Sequence, residues 1–168
     1  MSLFTKIEAE SKSIWTEIEN GVKPFIRIGT AMCGVAAGAN AVVTEVRKVV
    51  DIKNIDATVS EVGCMGICFA EPILDIKIPN GARLLYGNVS SADVSNIIDG
   101  CLLKSDFPQS KLIGSLGESA EVSDTVPDLL QDPVFKLQYK IALRNAGEID
   151  PRDINQYIGR DGYSGLNK

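Results

Sequence analysis

The segment FIRIGTAMCGVAAGANAVVTEVRKVV, residues 25–50, sets the topology of the chain. Residues 25–30 alternate in the manner of a strand, and a turn at residues 32–34 follows. The apolar side chains of residues 36–50 recur at helical spacing and predict a helix. Cys33 is therefore expected between the end of a strand and the beginning of a helix.

The sequence that follows extends this unit into a layered fold. Residues 57–63 alternate again and predict a second strand, and a cysteine-containing loop at residues 64–68 comes directly after it. Residues 72–78 and 82–86 flank a Pro-Asn-Gly turn and predict a β-hairpin. Ser91 is a candidate cap for a helix over residues 92–103. The order β-α-β-β-β-α predicts an α+β layer fold with a mixed sheet.

Both ends of the chain predict further helices. Apolar residues at helical spacing predict an amphipathic helix over residues 3–20. A second helical pattern covers residues 133–146, and Asp150-Pro151 predicts the beginning of a short helix to about residue 158. We therefore divide the chain into an N-terminal helix (1–22), a central domain (23–104), an extended linker (105–130) and a helical segment (131–168).

Composition excludes several classes of function. Hydrophobic residues make up 45% of the 168 residues, so the chain can form a packed core. The net charge is −5 and no cluster of Lys and Arg is present, which argues against binding to nucleic acid. No apolar run approaches the roughly 20 residues that span a bilayer, and the N-terminus does not resemble a secretory signal. We expect a cytoplasmic protein without membrane insertion.

The chain contains no histidine. A Ser-His-Asp or Cys-His catalytic centre, a Cys2His2 zinc site and a Rieske-type cluster are therefore excluded within it. Any metal must be held by thiolates and carboxylates.

The four cysteines are Cys33, Cys64, Cys68 and Cys101. If the first two strands are parallel neighbours, the loops that carry Cys33, Cys64 and Cys68 meet at one edge of the sheet. Short loops with glycines at such an edge are the geometry that an iron–sulfur cluster needs. The spacing alone also fits two small thiols in a glycine turn, or a disulfide between Cys64 and Cys68 in an oxidising compartment. Cys101 is expected in the core.

Three segments resemble thioredoxin-like [2Fe-2S] ferredoxin domains. They are IGTAMCGVAAGA at residues 28–39, VGCMGICFAEP at residues 62–72 and LYGNV at residues 85–89, and the resemblance covers about residues 25–103. Such domains occur in the 24-kDa-type subunit of complex I. They also open the flavoprotein (beta) subunit of NAD-linked hydrogenases and formate dehydrogenases. The resemblance implies a thioredoxin-like ferredoxin fold in which Cys33, Cys64 and Cys68 bind a [2Fe-2S] cluster.

The C-terminal part carries a second resemblance. IALRNAGEIDP at residues 141–151, with Tyr157-Ile158 and Gly162-Tyr163, resembles the segment that precedes the FMN-binding domain in the complex I 51-kDa-type flavoprotein. It implies an electron-transfer or docking domain of a soluble NAD(P)H-linked oxidoreductase. Such a chain is not catalytic alone, and its partners are other subunits or domains of that complex.

The chain departs from the family pattern in two ways. Ferredoxin domains of this type carry Cys-x4-Cys at the first site, and the first of these cysteines falls here at Arg27 or Ile28. Only Cys33, Cys64 and Cys68 match, which leaves the ligand set one short. The glycine-rich segment for FMN and NADH does not follow within the chain. We therefore expect FMN and NAD(P)H only in a partner or in a missing C-terminal region.

Three other functions remain compatible with the sequence. Cys64 and Cys68 can form a thiol redox switch, although they lack the Cys-x-x-Cys spacing of thioredoxins. A purely structural thioredoxin-like module without a cluster is the second alternative. A zinc site formed by the three cysteines with Asp or water is the third.

Overall fold

The computed structural model describes residues 3–117 and 126–167. Five strands form one mixed sheet in the order β2-β1-β3-β4-β5, with β1 and β2 parallel and the other neighbours antiparallel. The strands are β1 (Phe25–Gly29), β2 (Thr58–Val62), β3 (Leu74–Lys77), β4 (Arg83–Tyr86) and β5 (Leu112–Ser115). The helices are α1 (Leu3–Asn20), α2 (Met32–Ala37), α3 (Ala39–Ile52), α4 (Ser91–Ile98), α5 (Pro133–Lys136) and α6 (Ile154–Gly159).

The helix after β1 begins earlier than predicted and is divided in two. The predicted helix over residues 36–50 is replaced by α2, which already begins at Met32, and by α3. Gly38 ends α2 in the left-handed region, with φ of 106°, and its N–H donates to the carbonyl of Val35 at 3.1 Å. Glycine adopts this conformation without steric cost, so the chain turns there and begins again as α3.

The hairpin and the helix after it follow the prediction closely. β3 and β4 pair as expected around the Pro-Asn-Gly turn. The helix is capped by Ser90 rather than Ser91, since the Ser90 N–H donates to the Asp93 carboxylate at 2.8 Å. It continues beyond α4 as a π-helical segment, Asp99–Lys104.

Residues 112–115 lie in the stretch predicted as an extended linker, yet they form β5. This strand pairs antiparallel with β4, and its register shifts between Leu85 and Tyr86. Gly114 lies so close to Leu129 and Pro127 that a Cβ there would be 2.5 Å from the Pro127 carbonyl oxygen. A strand of four residues with a central glycine gives little periodic signal, which is why the pattern does not reveal it.

The two faces of the sheet are covered by different elements. On one face, Ile26 and Ile28 of β1 pack with α3 and α4 in the largest apolar cluster. On the other face, Phe25 packs edge-on against Trp15 of α1, with ring centroids 6.4 Å apart. Strand residues therefore alternate between two buried environments, which explains why all five residues of β1 are buried.

The C-terminal segment contains less helix than predicted. The pattern over residues 133–146 yields only α5, of four residues, followed by turns. The last helix begins at Ile154 with Asp153 as its cap, not at Asp150. α6 crosses α1 closely, and a Cβ on Gly159 would lie 2.6 Å from the Ser11 carbonyl oxygen.

The predicted fold class is confirmed: a mixed sheet with helices, preceded by one helix and followed by a segment with short helices. Within the two described ranges, no helix combines the length and the apolar character that crossing a membrane requires.

Candidate metal centre

Three cysteines meet at the end of the two parallel strands. The end of β1 is paired with the end of β2 through Gly29 and Val62, and the Thr30 N–H donates to the Val62 carbonyl at 3.0 Å. Cys33 follows the first strand in the first turn of α2, and Cys64 and Cys68 lie in the loop after the second. The parallel pairing thus brings together loops that are about 30 residues apart in sequence.

The sulfur atoms are close enough to share one small inorganic centre. Cys33 Sγ is 3.3 Å from Cys68 Sγ, and Cys64 Sγ is 3.4 Å from Cys68 Sγ. All three lie within 4.8 Å of one another, with Cys33 and Cys64 half-buried and Cys68 exposed. The structure thus brings the three predicted residues together at one rim of the sheet. Their role as ligands stays a prediction.

The loop around Cys64 directs a backbone amide at its sulfur atom. Gly66 has a φ of 101°, and its N–H donates to Cys64 Sγ at 3.3 Å. An amide that donates to sulfur stabilises negative charge on it. The pKa of the Cys68 thiol is raised to about 12, chiefly by its side-chain hydrogen bonds with Cys33 and Cys64, in which the protonated Cys68 is favoured, and also by the proximity of these two groups. A bound cation removes that obstacle.

Cys101 belongs to the core and not to this site. It is 2% exposed in the main apolar cluster, and its Sγ is 3.2 Å from the Tyr86 hydroxyl. Burial raises the pKa of the Cys101 thiol to about 11, so it stays protonated. The prediction of a core residue is confirmed.

Arg27 and Ile28, where the resemblance implies a further cysteine, have other roles in the structure. Ile28 is fully buried in the main cluster. Arg27 is 2% exposed on the opposite face, and its Nε donates to the Glu148 carbonyl at 3.1 Å. Neither side chain can donate electrons to a metal.

Sequence reasoning did not assign a function to Glu71, which the structure buries near the site. Its carboxylate accepts from the Ile73 N–H at 2.9 Å through Oε2, and Oε1 has no partner within the described structure. The oxygen atoms are so close to Gly29 and Gly34 that a Cβ on either glycine would lie within 3.1 Å of Oε2. Burial raises the pKa of Glu71. Its only sequence signal was the Glu-Pro pair three residues after Cys68.

Two exposed apolar side chains and a lysine lie beside the cysteines. Met32 and Phe69, the neighbours of Cys33 and Cys68, are 89% and 82% exposed. Lys140 reaches back from the C-terminal segment, and its Nζ donates to the Met65 carbonyl in the cysteine loop at 3.3 Å. The apolar rim suits contact with another protein, and the ammonium group favours negative charge at the site.

The three thiols are chemically suited to a thiophilic metal, but they are one ligand fewer than an all-cysteine [2Fe-2S] centre takes. Two thiolates on one tetrahedral metal, with bonds of about 2.3 Å, lie about 3.8 Å apart. The observed separations are close to this value, so small side-chain movements suffice. Among the described residues, the set within 4.8 Å contains the three cysteines and no carboxylate. An all-cysteine [2Fe-2S] centre takes four such ligands.

No model of a known protein family matches the chain. Similar solved structures include a thioredoxin-like [2Fe-2S] ferredoxin from Aquifex aeolicus, at 18% identity and a TM-score of 0.46, with 58% of this chain and 96% of that chain covered. A structure described as the wild type of that ferredoxin gives 18% identity and a TM-score of 0.45 over 57% of this chain and 98% of its own. A cysteine-to-serine variant of that ferredoxin gives 17% identity and a TM-score of 0.46, with 56% of this chain and 99% of that chain covered.

Proposed function

We propose that this chain is an electron-transfer domain whose iron–sulfur centre is held by Cys33, Cys64 and Cys68. The observation that carries the proposal is the convergence of the three sulfur atoms within 4.8 Å. Glycine-rich loops at a sheet edge, an amide donating to sulfur and partial exposure of one ligand are what such a centre requires.

When bound, a [2Fe-2S] group would exchange single electrons with a partner. The residues of the chain would hold the metal and set the charge and polarity around it. The cysteines hold the metal, the Gly66 N–H offsets negative charge on Cys64, and Lys140 adds a positive charge beside the loop. Met32 and Phe69 form an apolar rim that excludes water when a partner docks.

The proposed setting is a cytoplasmic NAD(P)H-linked oxidoreductase of the hydrogenase, formate dehydrogenase or complex I type. Support comes from the resemblance of residues 141–163 to the segment that precedes an FMN-binding domain. In this proposal FMN and NAD(P)H are held by a partner subunit or a further domain. The chain itself then serves as an electron-transfer or docking module.

Anaerobic purification and reconstitution with ferrous iron and sulfide tests the metal centre. We expect two iron and two sulfide per chain, and visible absorption that bleaches on reduction. Serine variants of Cys33, Cys64 and Cys68 should each lose most of the iron. Cys101→Ser is the matched control, because Cys101 is bonded to Tyr86 in the core, and it should keep the wild-type content. Colourless protein without iron or sulfide would refute the proposal.

The short sulfur–sulfur distances also favour a second function, a thiol switch. Cys68 lies 3.3 Å from Cys33 and 3.4 Å from Cys64, so an oxidant can couple it to either neighbour. The raised pKa of Cys68 disfavours the reactive thiolate, which makes this the weaker candidate. Mass spectrometry after oxidant and reductant treatment separates the two functions. No reversible pairing among the three thiols would eliminate the switch.

A further inference from the structure

The proposed centre lacks one sulfur ligand, and the following argument rests on that proposed function. A [2Fe-2S] cluster has four terminal ligands, two for each iron. The cysteine triad provides three, so one iron keeps a position that no cysteine of the triad fills.

The remaining cysteine of the chain is unsuited to fill it. Cys101 lies in the core cluster with 2% exposure and is hydrogen-bonded to Tyr86. It belongs to the apolar cluster that joins the sheet to α3 and α4, so moving it to the triad would disrupt that cluster. The family position at Ile28 carries only carbon and packs in the same cluster.

Carboxylates inside the described ranges do not stand in for the missing sulfur. No carboxylate joins the set of ligand atoms within 4.8 Å of one another. The nearby acid, Glu71, directs Oε2 to the Ile73 N–H and packs against Gly29 and Gly34. Its Oε1 atom has no hydrogen-bond partner among the described groups, but Glu71 does not belong to the set of ligand atoms that contains the three sulfur atoms.

The outer side of the site is open. Cys68 is exposed, and the adjacent Met32 and Phe69 side chains are almost fully exposed as well. A molecule arriving from solvent therefore reaches the sulfur atoms without rearrangement of the core. Thioether and phenyl groups at the rim offer apolar contact for the organic part of such a molecule.

We propose that the fourth ligand is a thiolate from outside the chain, supplied by a small thiol or by a cysteine of a second copy. Iron in these clusters is held by sulfur, and a thiolate is the softest donor that solvent or another chain can offer. Binding forms one iron–sulfur bond, and the thiol proton passes to the buffer. Iron and sulfur keep their oxidation states in this step.

Reconstitution with and without a monothiol tests the assignment. The full chain is loaded anaerobically with iron and sulfide in a phosphine reductant, with or without 2-mercaptoethanol. With the thiol we expect about two iron per chain and a native mass that includes one cluster and one bound thiol. Without it, we expect at least a threefold lower iron content in the monomer.

Native mass spectrometry distinguishes a small thiol from a cysteine of a second copy as the source of the fourth ligand. A cluster found in the monomer with one added thiol identifies the small molecule. A cluster confined to a dimer in thiol-free buffer identifies the second copy, and both results support an external thiolate. A two-iron monomer without added thiol overturns this inference and leaves the proposed function intact. Absence of iron under every condition overturns both.

The Cys101→Ser variant tests whether Cys101 of the same chain is the fourth ligand. Cys101→Ser keeps a hydroxyl partner for Tyr86 and should preserve the dependence on added thiol. Loss of the cluster in Cys101→Ser, with an unchanged circular dichroism spectrum of the apoprotein, would identify Cys101 as the fourth ligand and overturn the inference.

Discussion

Arg83 binds Asp75 through two nitrogen atoms, Nη2 at 2.6 Å and Nε at 3.0 Å from Oδ2. The two residues lie on neighbouring strands, two register positions apart. Arg83 also reaches Glu148 with Nη1 at 2.8 Å. On the other side of Asp75, Arg27 Nη1 is 3.8 Å from Oδ2. One aspartate thus lies between a buried and a half-buried guanidinium group, and Glu148 in the same network connects the C-terminal segment to the sheet.

Asp75→Asn should destabilise the fold strongly. Arg27 is 2% exposed, and in the variant it loses the Asp75 carboxylate, which lies 3.8 Å from its Nη1, while Glu148 remains 3.8 Å from its Nη2. Removing one partner of a buried pair costs about 3–5 kcal/mol. Guanidinium unfolding of the apoprotein measures the loss.

The matched control is Asp56→Asn, because Asp56 forms an exposed pair with Lys23. Exposed pairs contribute about 0–1 kcal/mol. Equal losses in the two variants would show that the buried network does not stabilise the fold.

Glu71→Gln should change how stability depends on pH. Burial raises the pKa of Glu71 in the folded chain, so the folded state keeps a proton that the unfolded state has released. The free energy of unfolding therefore falls as pH rises from the unfolded pKa, about 4.3, through the folded pKa. Glutamine removes this contribution and should flatten the profile. Urea unfolding between pH 4 and pH 8 gives the comparison.

Glu10→Gln, on the exposed side of α1, is the control for that series and should run parallel to the wild type. If the Glu71→Gln profile also runs parallel, burial of the carboxyl has no influence on stability in this pH range.

The convergence of the cysteines was predictable because it depends on one robust rule. Parallel neighbouring strands end at the same edge, and both strands were evident from alternation at residues 25–30 and 57–63. The placement of Arg27 was not predictable, since its partner Glu148 is 121 residues away. In the local sequence pattern, a charged residue within a strand indicates an exposed position and gives no sign of a distant partner.

The prediction of a helix over residues 133–146 was wrong for a related reason. Leu137, Tyr139, Ile141 and Leu143 suggested a helix, yet all four are more than 60% exposed and have no face of the domain to pack against. Periodicity alone yields a stable helix only where tertiary packing covers the apolar side.

Gly34→Ala should displace the turn that carries Cys33. A Cβ at Gly34 would lie 2.2 Å from the Gly29 carbonyl oxygen, which belongs to rigid strand backbone. We expect a loss of about 1–3 kcal/mol in the free energy of unfolding and a lower iron content after reconstitution. Gly63→Ala is the control, since its nearest atoms are 3.9 Å from the new Cβ. Equal iron content in both variants would contradict the steric argument.

Lys140→Gln should lower the reduction potential of the reconstituted centre. Reduction adds negative charge to the site, and the Lys140 ammonium group, bound to the Met65 carbonyl at 3.3 Å, stabilises that charge. We expect a shift of tens of millivolts to more negative values in a spectroelectrochemical titration. Lys136→Gln makes the same change in charge on a side chain that contacts Gln131 instead. Because screening by salt weakens distant charges, the difference between the two variants should persist at high ionic strength. Equal shifts in both variants would mean that net charge, and not the position of Lys140 beside the cysteine loop, sets the potential.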